Sequence, residues 1–267
     1  MPRIEDMYPL SPMQHGLLFH SLLHPEAGLY VPQVALSLSG AWSSSSLRQA
    51  AEDVVRRHTV LRTGFQWELR DEPFQIVYRD VDLPWAELDW SAFSAREQQT
   101  KLENLIAANR GEPFRLQRPP LMRMQWIRRG SDSFYLLCCY HHLILDGWSA
   151  SNLIRELLGS GARASNVDAG ASHSAVDAAM DVGIEPPASY SRYIAWLRKQ
   201  DQTAAERFWR ERFAARDSYP SSYLPRAQHG DDSQRGAKPA VQHAALTEEQ
   251  SQDLRRFLQD NQITLNS

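Results

Sequence analysis

The chain has 267 residues, of which 42% are hydrophobic and 10% aromatic, so it is long enough to bury a large core and is not a disordered segment. Its formal net charge of −3 gives no support for binding nucleic acid or another polyanion. The two cysteines, Cys138 and Cys139, are adjacent and would point to opposite faces of a strand, so an ordinary structural disulfide between them is excluded.

Other signals bear on where the chain works. With no structural disulfide, a reduced and cytoplasmic setting is expected. The N-terminal residues lack the basic region and long apolar run of a signal peptide. No apolar run reaches the roughly 20 residues that a membrane helix requires, so no membrane partner is expected.

Local patterns predict helices mixed with short strands. Ser11 followed by Pro12 has the signals of a helix start, and the alternation of Val34, Leu36 and Leu38 predicts a half-buried strand. A serine-capped helix to residue 58 follows, with a buried face of Leu47, Ala50, Ala51, Val54 and Val55. The next predicted elements are two strands joined by a turn at residues 69–72 and a helix ended by Gly111 and Pro113. A hairpin with strands at 121–127 and 134–141 and a helix at about 149–158 come after them.

The composition changes after this helix. Residues 159–187 are rich in Gly, Ala, Ser and Asp and show no strong apolar period, which predicts a flexible, low-complexity surface insertion. Beyond it, two helices are expected to meet near Asp201, and residues 240–246 alternate like a strand. A final helix is predicted from the capping box of Thr247 and Gln250.

The stretch "YHHLILDGWS" holds the side chains best suited to chemistry. Imidazole is matched to proton transfer near neutral pH, and on a continuing strand His141 and His142 would face opposite ways, so that only one enters a cleft. A strand end with a polar turn remains an equal alternative on spacing alone. A metal site is not expected, because Gly147 disfavours a helix that would bring His142 and Asp146 together, and no third ligand stands nearby.

The stretch "RRHTVLRTGF" offers guanidinium partners for this loop. Arg57 and Arg62 flank a junction between helix and strand, and either side chain can pair with a buried carboxylate, for which Asp146 is the candidate. Two features are interpreted structurally: Ser149 as a helix cap, because it lacks the setting of a nucleophile elbow, and the aromatic pair Tyr193 and Trp196 as core or cleft-lining residues.

Four segments in order resemble the first motifs of the condensation domains of nonribosomal peptide synthetases. They are "YPLSPMQHGLLFH", "RHTVLRTGF", "YHHLILDGWS" and "SYSRYIAWL". The third contains the family's HHxxxDG signature, and the resemblance covers nearly the whole chain outside the predicted insertion.

This resemblance implies an α/β fold similar to a chloramphenicol acetyltransferase lobe, with a mixed, mostly antiparallel sheet flanked by helices. In that family two such lobes form a channel between them. Donor and acceptor carrier proteins bring thioester-bound substrates on phosphopantetheine arms, and an amide bond forms. No cofactor is bound directly, and a neighbouring adenylation domain is a further expected partner.

The resemblance also assigns roles to residues. His142 would face the channel as general base or as a positioner of the amine, while His141 would be mostly scaffold. Asp146 would be structural, paired with an arginine, for which Arg57 is the preferred candidate, and Gly147 would allow close backbone approach with its N–H near the reacting carbonyl. Channel-lining candidates are Trp148, Ser149, Tyr193 and Trp196.

The sequence departs from the family pattern at residues 159–187 and at its end, "ITLNS", where the family continues into a second lobe. Residues 1–267 are therefore interpreted as the N-terminal lobe of a condensation domain, with little or no activity alone. Two alternatives stay open: a non-catalytic fragment that binds carrier proteins, and an acyltransferase of the same superfamily that uses coenzyme A.

Overall fold

The computed structural model describes residues 3–165, 187–214 and 244–265. The strands are β1 (Ile4–Pro9), β2 (Gln33–Ser39), β3 (Thr63–Gln66), β4 (Phe74–Tyr78), β5 (Trp85–Asp89), β6 (Met122–Arg128) and β7 (Ser133–Tyr140). The helices are α1 (Pro12–Leu23), α2 (Ser44–Arg57), α3 (Ala95–Gly111), α4 (Gly147–Ser165), α5 (Tyr190–Leu197), α6 (Gln202–Ala214) and α7 (Glu248–Asp260). The chain divides into two compact units, residues 1–201 and 202–267.

The first unit contains two sheets. A four-stranded sheet has the order β2-β7-β6-β5, antiparallel except for the parallel pair β5 and β6. A three-stranded antiparallel sheet has the order β1-β4-β3. The predicted α/β class with a mixed, mostly antiparallel sheet is confirmed.

Helices cover both faces of the four-stranded sheet. Alternate residues of β7, including Leu136 and Cys138, share one core with the predicted apolar face of α2 and with Leu153 and Leu157 of α4. On the other face, Leu102 of α3 packs with Ile127 and Trp90. Because side chains alternate along a strand, the neighbouring Cys138 and Cys139 separate as expected, and both are buried free thiols.

Two strands were missed in the sequence. The segment of β1 is acidic and that of β5 is largely exposed, so neither shows the apolar alternation that identifies a strand. Each is held instead by backbone pairing along a longer neighbour, β1 on β4 and β5 on β6. Edge pairing of this kind depends on the partner strand more than on the segment's own composition.

The structure corrects the predicted start of the insertion. Helix α4 continues to Ser165, so residues 159–165 are helical. The reason is packing: a Cβ on Gly161 would lie 2.5 Å from Cδ2 of the buried Leu47 of α2, so glycine here permits close contact between the helices. Residues 166–186, the rest of that prediction, lie outside the described residues.

Predictions for the later part of the chain have mixed outcomes. Helices α5 and α6 flank Asp201 as expected, and Thr247 with Gln250 forms the capping box that begins α7. Of the strand predicted at 240–246, residues 240–243 lie outside the described residues, and 244–246 are not in a strand. Within the described ranges, no helix has the length and apolar character needed to cross a bilayer.

Candidate functional site

The loop that joins β7 to α4 carries the two adjacent histidines. Strand β7 ends at Tyr140, so the extended strand does not reach the histidines themselves. Their backbones are nevertheless anchored on two sides: the His141 N–H donates to the carbonyl of Leu121 (2.9 Å), and the His142 N–H donates to that of Tyr30 (2.8 Å). The loop thus has a defined path, and each imidazole has a defined direction.

His141 is buried and both of its ring nitrogens are bonded. Its Nδ1 accepts the backbone N–H of Leu143 at 3.1 Å, and its Nε2 lies 3.3 Å from the Ser21 hydroxyl. That hydroxyl already donates its proton to the carbonyl of Leu17, so it accepts from Nε2–H. Burial, with a smaller contribution from His142, lowers the pKa of His141 from 6.5 to about 4. His141 is therefore a neutral scaffold residue.

His142 lies on the wall of an open cavity of about 540 Å³. Its Nδ1 is 3.0 Å from the carbonyl oxygen of Leu145. A carbonyl only accepts, so Nδ1 carries the proton, and in the neutral ring Nε2 has a free lone pair. Nε2 makes no hydrogen bond to any residue in the described ranges. His142 is thus held in the tautomer that a proton acceptor requires.

The two histidines also belong to different cavities. His141 lies on the wall of a smaller cavity, of about 190 Å³, on which Trp67 and Phe114 also lie. His142 belongs to the larger one, together with Asp146, Ser149 and Tyr193. The expected divergence of the pair is therefore seen, although the turn after β7 produces it and not a continuing strand.

Asp146 is the N-terminal cap of α4. Its Oδ1 accepts the backbone N–H of Ser149 at 2.7 Å, and its carbonyl accepts the N–H of Ala150. The hydrogen bonds from Ser149 are the main cause that lowers the pKa of Asp146. The prediction that Ser149 caps the helix was wrong: Ser149 lies in the first turn, and Asp146 is the cap.

The predicted pairing of Asp146 with an arginine was also wrong. Arg57 binds Glu156 of α4, because the last turn of α2 packs beside that helix. Arg62 is buried and binds Glu5 together with the backbone carbonyl of Tyr78, which ties β1 to β4. Both arginines therefore support the framework around the site without contacting Asp146.

The remaining predicted site residues divide into two groups. Ser149 and Tyr193 line the larger cavity. Trp148 is 83% exposed, and Trp196 is 55% exposed and stacks on Tyr193, but neither lies on the cavity wall. A Cβ on Gly147 would meet no atom within 4 Å, so no described residue requires glycine there.

Sequence reasoning missed three residues that shape the larger cavity. Gln14 donates to the carbonyl of Leu143 at 3.0 Å and exchanges hydrogen bonds with the amide of Gln75, so it fixes the loop from the side of α1. Tyr190 lies on the wall and donates to the Ser11 hydroxyl. His58 is the third. All three residues lie within the segments that resemble the family motifs, and Gln14 also had a local signal, since Ser11 and Gln14 have the spacing of a capping box.

The part of the chain that the structure describes contains no group of three or more His, Cys, Asp or Glu side chains placed to hold a metal ion. The chemistry open to this site is that of an imidazole lone pair beside a largely apolar loop and a helix N-terminus. Such a site can accept a proton or a hydrogen bond from a bound ligand.

Comparison with known proteins identifies relatives over almost the entire chain. A family model described as "Condensation domain" matches residues 4–267. The chain is 31% identical over 271 residues to one of the proteins that make up the linear gramicidin synthase of Brevibacillus parabrevis, and the match covers 100% of this chain and 3% of that protein. It is 28% identical over 267 residues to bacitracin synthase 1 of Bacillus licheniformis, and this match covers 99% of this chain and 5% of that protein.

A solved structure supports the fold. The starter condensation domain of a rhizomide synthetase, in a variant form, matches with a TM-score of 0.65 and 18% sequence identity, over 82% of this chain and 50% of that one. This chain therefore spans a small part of its curated relatives and half of the solved domain.

Proposed function

Because the chain belongs to the condensation-domain family of nonribosomal peptide synthetases, we propose that it takes part in forming an amide bond between two substrates that carrier proteins hold as thioesters. The observation that carries the proposal is the imidazole of His142. It faces an open cavity of about 540 Å³ and keeps an unprotonated Nε2.

In the proposed reaction the amine of the acceptor attacks the carbonyl carbon of the donor thioester. A C–N bond forms, the C–S bond breaks, and the amine proton ends on the released thiol. Nε2 of His142 accepts that proton on its way, or holds the amine by a hydrogen bond in line with the carbonyl; either role uses the neutral ring. The Leu145 carbonyl keeps the ring in the required tautomer.

The start of α4 supplies the second part of the proposed site. Asp146 caps the helix, and the backbone at Gly147 is open to a ligand because no atom lies within 4 Å of the position of a Cβ. The N–H of Gly147 would then lie beside the reacting carbonyl, where a backbone donor would stabilise the developing negative charge.

The proposed partners are a donor and an acceptor carrier protein, each with a phosphopantetheine arm, and a neighbouring adenylation domain. The arms bring the substrates, so no cofactor is bound by this chain itself. We also propose that catalysis requires a second lobe, because the solved condensation domain is matched over only half its length. Orientation between two walls contributes up to about 7–11 kcal/mol to such reactions, so one lobe alone should form little product.

The test combines the chain with two loaded carrier proteins, with and without a separately expressed second lobe, and measures dipeptide by mass spectrometry. Product is expected only with the second lobe, and His142→Ala should lower its rate at least about 100-fold. His15→Ala, at an exposed position of α1, is the matched control and should retain the rate. Full activity of His142→Ala in the two-lobe mixture would contradict the role of His142, and abundant product from the chain alone would contradict the need for a second lobe.

A further inference from the structure

His58 is a second histidine on the wall of the cavity that contains His142. It follows the last residue of α2, and its backbone N–H closes that helix by donating to the carbonyl of Val54 at 3.0 Å. The residues after it, Thr59 and Val60, line the same cavity. The end of α2 therefore forms one wall, and the loop of residues 142–146 forms another.

A carboxylate fixes the tautomer of His58. Its Nε2 lies 2.8 Å from Oε2 of Glu156, whose side chain is 15% exposed, and the other oxygen of Glu156 binds Arg57. A carboxylate paired with arginine accepts hydrogen bonds, so the proton of the neutral imidazole is on Nε2. Nδ1 is left as an acceptor, and it has no hydrogen-bond partner among the described residues.

The contact with Glu156 uses only one of the two ring nitrogens of His58, Nε2. It joins α2 to α4, but the Arg57–Glu156 pair joins the same two helices, as does the apolar contact of Leu47 with Gly161. A purely structural role would use Nε2 alone and would leave Nδ1 unused, although His58 lines an open cavity. Enzymes commonly use a carboxylate to orient one edge of a histidine ring so that the other edge can contact a ligand. Glu156 and His58 have this arrangement beside the cavity.

Resting on the function proposed above, we propose that His58 is a second ligand-binding imidazole of the site, and that its Nδ1 accepts a hydrogen bond from an N–H group of the substrate in the cavity beside His142. Glu156 is a positioning residue that acts through His58. The N–H group belongs either to the acceptor amine or to an amide of the phosphopantetheine arm. Both sources present the same chemistry, and simple probes separate them.

The first test observes the ring nitrogens directly. The full chain is labelled with ¹⁵N-histidine, and the two-bond ¹H–¹⁵N correlations of His58 should show a protonated Nε2 and an unprotonated Nδ1. Pantetheine, which has amide N–H groups and no amine, and glycine methyl ester, which has an amine and no amide, are then titrated separately. A shift of the His58 Nδ1 signal with pantetheine assigns the amide, and a shift with the ester assigns the amine. The proposal is overturned when neither probe shifts the His58 Nδ1 signal, whether or not the His142 signals respond.

The second test uses two substitutions that keep opposite edges of the ring. In His58→Gln the side-chain amide reaches the position of Nε2, so the contact with Glu156 is kept and the acceptor at Nδ1 is lost. In His58→Asn the amide occupies the position of Nδ1, so an acceptor toward the cavity is kept and the contact with Glu156 is lost. A structural role predicts that Gln is tolerated and Asn is not.

The proposal predicts the opposite for ligand binding. His58→Gln should bind the active probe about two- to tenfold more weakly, the effect of one neutral hydrogen bond, with an unchanged melting temperature. His58→Asn should recover part of the affinity, and His15→Gln is the control with unchanged affinity. Wild-type affinity of His58→Gln would overturn the proposal. Because these readouts are binding and ring protonation, they can fail while the dipeptide assay succeeds, or succeed while it fails.

Discussion

The adjacent residues His141 and His142 differ because their neighbours differ, not because of their own chemistry. His141 accepts a backbone N–H at Nδ1 and is forced to carry its proton on Nε2. His142 donates from Nδ1 to a carbonyl and is left with a lone pair on Nε2. The backbone N–H of Leu143 selects the tautomer of His141, and the backbone carbonyl of Leu145 selects that of His142. The same turn therefore makes one imidazole part of the scaffold and the other available for chemistry.

The burial of His141 predicts a loss of stability in mild acid. Its pKa is lowered from 6.5 to about 4 in the folded protein, so the unfolded chain takes up the proton first. The stability is fully present above pH 6.5 and is lost as the pH falls toward 4, by about 3 kcal/mol. Urea unfolding at a series of pH values measures this loss.

A substitution isolates the contribution of His141 to that loss. Asp89, Glu97 and Asp146 have lowered pKa values, so their contributions are lost at lower pH, as each carboxylate is protonated in the folded state. His141→Asn keeps an acceptor for the Leu143 N–H and should reduce the slope between pH 6.5 and 4, although the variant is less stable overall. An unchanged slope in the variant would show that another group titrates.

Among the elements, the packing of α2 on α4 positions most of the site. The cap of α4, Asp146, lies on the wall of the cavity that contains His142, and so does His58, the residue that follows α2. The helices are joined by Glu156, which binds Arg57 and His58, and by the contact of Leu47 with Gly161. The distance between the two walls of the cavity therefore depends on how closely these helices approach each other.

Two glycines of α4 provide a test of this approach. Gly161→Ala would place its Cβ 2.5 Å from Cδ2 of Leu47, a fully buried side chain with little room to move, and should destabilise the protein by about 1–3 kcal/mol. Gly159→Ala is the matched control, because no atom lies within 4 Å of its Cβ and alanine favours a helix by up to about 1 kcal/mol. Both are measured by urea unfolding. Equal stability of the two variants would exclude the close contact.

At the scale of the whole molecule, each unit exposes aromatic side chains to solvent. In the first unit Trp148 is 83% exposed. In the second, α6 has no buried residue, and its Phe208 and Trp209 are each 54% exposed. The rings of Phe208 and Trp209 are in contact, and clustered exposed apolar side chains favour association with another surface.

The exposed aromatics predict that the chain associates with itself as its concentration rises. Sedimentation velocity over a range of concentrations should show an increasing average mass, and Trp209→Ser should reduce this increase without a change in the melting temperature. Arg210→Ser is the control for a change on the same helix, since Arg210 forms an exposed pair with Glu206 that contributes little. A monomer at every concentration tested would refute the prediction.

Features that depend on neighbours along the chain were predictable from the sequence. The capping box of α7, the apolar face of α2 and the hairpin of β6 and β7 all follow from short-range patterns of hydrogen bonding and apolar spacing. The divergence of His141 and His142 was also predicted, although from a continuing strand and not from the turn that produces it. These features are local, so the residue types and their spacing carry the necessary information.

Features that depend on which elements pack together required the tertiary structure. Asp146 was expected to pair with an arginine, preferably Arg57, yet Asp146 caps its own helix, Arg57 binds Glu156, and Arg62 binds Glu5. The last two contacts join residues 99 and 57 positions apart. The sequence by itself determined the motif and the family that this chain belongs to. Only the packing of α2 on α4 and the pairing of β1 with β4 decided the partner of each charged group and the place of His58 on the cavity wall. The reason is that a charge pairs with whichever opposite charge the folded chain brings within reach.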